Sequence, residues 1–154
     1  MKKLLIAFAL LSLAACSENS SWFRFNNAFG TGTFPVANEG QAAVYLVRET
    51  SYPDAPPIKI TMDGAPIVDL VPLSYARLNL DPSLYDFRTY GIQRNRELII
   101  TVAPGQTRFF VVQPAGENQQ GAEMLELSQE EGRKLVRKAQ QVTPFAFGTY
   151  APNQ

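Results

Sequence analysis

Histidine is missing from all 154 residues, and cysteine occurs once, as Cys16. Without histidine there is no Ser-His or Cys-His nucleophile pair, and the commonest metal ligand is gone. With one cysteine no internal disulfide can close and no cysteine-based zinc cluster can form. A small domain that lacks both staples must be held by the burial of its own core. Charge is also scarce. Charged residues make up 18%, with 14 basic and 14 acidic side chains. Setting aside residues 1–15, which contain Lys2 and Lys3, leaves 12 basic against 14 acidic, a net charge of −2. The chain as a whole has no basic excess to neutralise a phosphate backbone, so nucleic acid is not the expected partner.

Long hydrophobic runs are lacking as well. Leu4–Leu13 (LLIAFALLSL) spans ten residues, whereas a permanent transmembrane helix needs about 20. What the run does fit is a secretory leader. Lys2 and Lys3 supply the charged start, the run supplies the apolar centre, and Ala14 and Ala15 supply the small residues of a cleavage site. Leu13-Ala14-Ala15-Cys16 resembles the lipobox of bacterial lipoproteins. The resemblance implies diacylglycerol on the Cys16 sulfur, cleavage before Cys16, and acylation of the new amino terminus. Several acyl chains hold a protein to a bilayer where one alone is marginal. Ser17 follows, where an Asp typically retains lipoproteins of Gram-negative bacteria in the inner membrane. The expectation is therefore a cell-envelope protein anchored to the outer membrane and facing the periplasm.

Residues 16–40 read as a lipidated terminus and tether rich in Ser, Asn, Gly and Thr, yet Trp22, Phe23, Phe25, Phe29 and Phe34 lie within it. Such rings either fold back over one end of the domain, the favoured reading, or contact a bilayer or partner. Trp22, Phe23 and Phe25 are the candidate partner contacts.

From Gln41 to Val142 the texture is that of strands. Ala43–Val47 is apolar on both faces, as a central strand would be. Alternation continues through Ile58–Met62, Ala76–Leu80, Tyr85–Thr89 and Leu98–Val102, with turn signals at Asp63-Gly64, Asp81-Pro82 and Pro104-Gly105. With Ile67–Val71, Arg108–Val112 and Glu123–Leu127 this makes about eight strands, an antiparallel β-sandwich or small barrel. One helix is expected over 129–141. Ser128 and Glu131 form a capping box there, and Lys134, Arg137 and Lys138 favour its carboxyl end. Gly132 weakens it by about 1 kcal/mol relative to alanine. Residues 143–154 form a tail.

The order Ala43–Arg48, Asp63-Gly64, Pro104-Gly105-Gln106-Thr107, Phe109–Val112 and Glu130-Glu131-Gly132 resembles a family of uncharacterised bacterial lipoproteins built on one domain of unknown function. The resemblance covers residues 41–140 and implies a sandwich of the transthyretin-like or carboxypeptidase-regulatory-like kind. It implies no activity.

Candidate chemistry is sparse. Asp81 with Asp86 flanks a turn, and Glu130 with Glu131 sits in a helix cap. No Ser-x-x-Lys spacing occurs, and Gly30-Thr31-Gly32 opens no helix to cradle a phosphate. Arg48, at the end of the first strand, could pair with a carboxylate or hold an anion. Arg88, Arg94 and Arg96 gather around Tyr90. The sequence thus points to a non-catalytic binding or scaffold module without cofactor or metal. Its partners would be the membrane through Cys16 and an envelope protein or peptidoglycan. The alternative is a small carboxylate-dependent hydrolase, or an accessory subunit of an envelope enzyme.

Overall fold

The computed structural model describes residues 34–50, 52, 54–90, 96–115 and 121–145. Strand β1 (Ala42–Arg48) is buried along its whole length, and the reason organises the fold. Its even-numbered residues Ala42, Val44 and Leu46 face a second sheet. Its odd-numbered residues Ala43, Tyr45 and Val47 face a helix, because side chains alternate along a strand.

The chain passes back and forth between two sheets. From β1 it enters β2 (Ile58–Met62) and β3 (Ala65–Leu70), then returns through β4 (Ser74–Leu80). It crosses again to β5 (Ser83–Tyr90) and β6 (Arg96–Val102), and comes back as β7 (Thr107–Ala115) and β8 (Gly121–Leu127). Helix α1 (Gln129–Val136) and the short β9 (Gln140–Gln141) complete the order. One sheet has the order β8-β7-β1-β4-β9, the other β3-β2-β5-β6. The second is wholly antiparallel. In the first, β1 runs antiparallel to β4 but parallel to β7, and β9 is parallel to β4. The protein is a β-sandwich with one carboxyl-terminal helix.

Between the sheets lies the main core, built from Val44, Leu46, Ile60, Leu70, Leu78, Phe87, Ile100, Phe110 and Val112. Asp63 and Gly64 both take positive φ, 50° and 81°, in the β2–β3 hairpin. That is the type I′ geometry whose twist matches paired strands, and Gly64 reaches it with no Cβ to clash. Thr89 is buried and its hydroxyl donates to the Ala122 carbonyl at 2.6 Å, tying β5 to β8 across the gap.

A second, smaller core covers the other face of the five-stranded sheet. Phe34, Tyr45, Val47, Tyr75, Phe109 and Val136 form it, with Leu127, Leu135 and Ala139 against its edge. Tyr45 stacks on Phe109 with centroids 4.9 Å apart, and Phe34 meets the same pair at 5.1 and 5.5 Å. Two expected boundaries therefore move. The folded body includes Phe34, earlier than residue 41, because that ring is buried under α1. The helix stops at Val136, short of 141, because the Gln140 amide donates to Leu73 O and the Val142 amide to Tyr75 O, drawing the chain onto β4. At its other end the capping box is complete, with Ser128 accepting from the Glu131 amide and Glu131 accepting from the Ser128 amide.

The buried tyrosines give this second core a pH signature. Burial pushes the Tyr75 phenol up to about 12, and proximity to Tyr45 adds to the shift. Burial raises Tyr45 too, against the pull of Arg77. An unfolded tyrosine loses its proton near pH 10, while folded Tyr75 keeps it, so the unfolded state binds fewer protons between those values. Stability present below pH 10 is thus expected to fall as pH rises toward 12, by an amount on the order of 2–3 kcal/mol for Tyr75. Phenolate absorbance followed alongside circular dichroism should show these phenols ionising only as the fold is lost. Smooth ionisation of every tyrosine at pH 10 with the fold intact would contradict this.

Candidate functional site

Arg48 shares the parity of Val44 and Leu46, so its side chain points between the sheets, where it is 1% exposed. Its Nη1 donates to the carbonyls of Pro56 and Leu70, each at 2.7 Å. Among the described residues no carboxylate pairs with it, and burial lowers its pKa. The expected strand-end ion pair is replaced by two carbonyls, because the residue faces inward. Arg48 clamps the loop after β1 to the end of β3, and this interior position removes it from the surface contacts a partner would use. The β-alternation that placed Leu46 in the core could also have placed Arg48 there.

The carboxylates singled out in sequence are dispersed among structural tasks. Asp81 accepts from Gln41 Nε2 at 3.0 Å. Asp86 pairs with Arg88 at 2.7 Å, and Arg88 reaches Glu97 at 3.0 Å on the facing strand. These bonds, to Asp86 first, raise the Arg88 pKa. Arg96 pairs with Glu123 at 3.0 Å, bridging β6 and β8. The arginines expected around Tyr90 are therefore already matched by acids at Arg88 and Arg96, while Arg94 lies outside the described residues.

Among the described residues two carboxylates have shifted titration, and both shift downward. A hydrogen bond from Arg108 holds Glu126 below the usual range, and bonds from Ser128 do so for Glu131. A general acid at neutral pH needs the opposite shift. Among the described residues no group of three or more acidic or cysteine side chains is placed to hold a metal ion, and no helix is long and apolar enough to cross a membrane.

No family model and no curated protein matches this chain. The surface itself must then indicate where function lies, and its two broad faces differ. The outer face of the five-stranded sheet is covered by α1 and Phe34 except toward β8, where Leu125 is 46% exposed. The outer face of the four-stranded sheet is open. Leu84 and Ile99 stand there 60% and 57% exposed, beside the Asp86–Arg88–Glu97 trio and Tyr90. Their outward direction follows from the register, since Asp86 lies opposite Ile99 while the neighbouring Phe87 is in the core. Strand alternation marked Arg88 and Asp86 as outward in sequence, but gave no reason to notice two exposed aliphatic residues beside them. Cys16, Trp22, Phe23 and Phe25 lie outside the described residues.

Proposed function

We propose that this protein is a lipid-anchored module of the bacterial envelope that binds other envelope components and carries out no chemistry of its own. The anchoring rests on Leu13-Ala14-Ala15-Cys16 behind a charged, ten-residue apolar leader. The observation that favours binding over catalysis is the contrast between faces. Asp86, Glu97, Glu123 and Glu126 are held in ion pairs and Glu131 in a helix cap, whereas Leu84 and Ile99 stand exposed beside paired charge on an open sheet. Apolar residues bordered by charges are the composition of a protein-contact patch. A partner here would be another envelope protein, with Trp22, Phe23 and Phe25 of the tether as further contacts, and the outer membrane as the site of anchorage.

Anchoring and binding are tested together in cells, by comparing the native chain with Cys16→Ser while photo-crosslinkers replace Leu84 or Ile99. The native chain is expected in the membrane fraction, carrying the mass of acyl chains and captured envelope protein. Cys16→Ser should leave that fraction and lose the captured species. An unmodified native amino terminus would refute the anchor, and crosslinkers that capture nothing would refute the patch.

A further inference from the structure

We infer that the exposed face of α1 is an electrostatic docking surface for anionic lipid headgroups, and that it lays the five-stranded side of the sandwich against the bilayer. This deepens the reading above and rests on the anchor at Cys16.

Helical geometry is the first support. Arg133, Lys134, Arg137 and Lys138 are all exposed. Arg133 and Lys134 lie in the last turn of α1 and Arg137 and Lys138 in the cap and turn that follow, and with Glu130 among them they form one exposed stripe away from the side on which Gly132 and Val136 are buried against the sheet. The four cations thus gather on one exposed side, where the Arg133 guanidinium lies over the Phe34 ring. A concavity of about 660 Å³ runs along them, lined also by Gln129 and Glu130. Glu131 lies at the margin and is engaged by Ser128. On a chain whose mature charge is −2, this stripe is a local reversal of sign.

The second support is where the anchor joins the fold. Phe34 packs beneath α1, with the Arg133 guanidinium 5.5 Å from its ring centroid. Residues 17–33 separate it from Cys16, and seventeen residues span at most about 60 Å. The chain from the anchor therefore enters the described fold beside the basic stripe. The open face with Leu84 and Ile99 lies beyond two packed sheets and the helix, layers of about 10 Å each, which exceeds the Debye length of about 8 Å at physiological salt. With the helix side toward the bilayer, the negative headgroup field acts on the stripe and not on the far face. Each Lys or Arg at such a surface strengthens contact by about fivefold, and tethering makes the encounter intramolecular. Docked in this way, the protein would present the Leu84–Ile99 patch away from the membrane.

Lysines supply a built-in test, because the chain after Cys16 contains three: Lys134 and Lys138 on the stripe, and Lys59 on the opposite, open sheet. Native lipidated protein is reconstituted in phosphatidylcholine vesicles with or without phosphatidylglycerol, and its amines are acylated briefly before mass analysis. With phosphatidylglycerol present, Lys134 and Lys138 are expected to react about fivefold more slowly relative to Lys59. High salt, or neutral vesicles, should abolish the difference. The double variant Arg133→Gln, Arg137→Gln should still float with vesicles yet lose the protection. Equal reactivity of all three lysines on floating anionic vesicles would overturn the docking and leave the anchor standing. Protection that persists on neutral vesicles or in high salt would also overturn it, as would selective protection of Lys59. Protein that neither floats nor carries acyl mass would instead overturn the anchor.

Discussion

Gly132→Ala is expected to destabilise the protein by about 2–3 kcal/mol, although alanine is the better helix former by about 1 kcal/mol. The cause is packing. A Cβ at position 132 would overlap the Cβ and Cγ atoms of Phe109 and come within 2.6 Å of its Cδ1. Phe109 cannot yield easily, since it is fully buried between Tyr45 and Phe34. Either α1 lifts from the sheet, uncovering the second core, or the aromatic stack shifts. Urea denaturation of the two proteins measures the effect. A gain in stability would show that the helix approaches the sheet less closely than described.

Arg48→Ala should cost more, about 3–5 kcal/mol, because it opens a cavity, strands the buried Leu70 carbonyl and releases the part-buried Pro56 carbonyl that the same charged donor had satisfied. Arg48→Met separates these contributions. It fills most of the volume and removes a desolvated charge that has no acidic partner among the described residues, so it should lose roughly half as much. The loop carrying Pro56 should lose protection from hydrogen exchange in both variants. If Arg48→Ala unfolds at the native urea concentration, the clamp between β1, that loop and β3 contributes nothing.

Strands were readable because one face of each had to be apolar. Alternation through Ile58–Met62, Tyr85–Thr89 and Leu98–Val102 marks positions that do face the core, and the unbroken apolar run of Ala43–Val47 identifies a strand covered on both sides. The capping box located the start of α1 because it is a local bond between residues three apart. What eluded sequence reasoning depends on distant partners. The helix end is set by β4 drawing Gln140 away. Gly132 registers in sequence only as a poor helix former, since its value lies in contact with Phe109, a residue of another element. Phe34 illustrates the same point: its ring belongs to the second core, and nothing adjacent to it in sequence announces that. For the site, charge placement on the helix was visible, but that the stripe lies beside the buried ring of Phe34 required the fold.

The position of β1 has a consequence for biogenesis. It is the first strand made and the centre of its sheet, yet its neighbours are β4 and, later still, β7, whose Thr107 pairs with Ala43. Pairings so far apart along the chain are slow to form. A partly synthesised polypeptide that has not delivered β7 holds an apolar segment with one side unpaired. Folding therefore waits until nearly the whole domain has been made, so an incomplete chain keeps a sticky, unpaired apolar segment that a holding chaperone would protect.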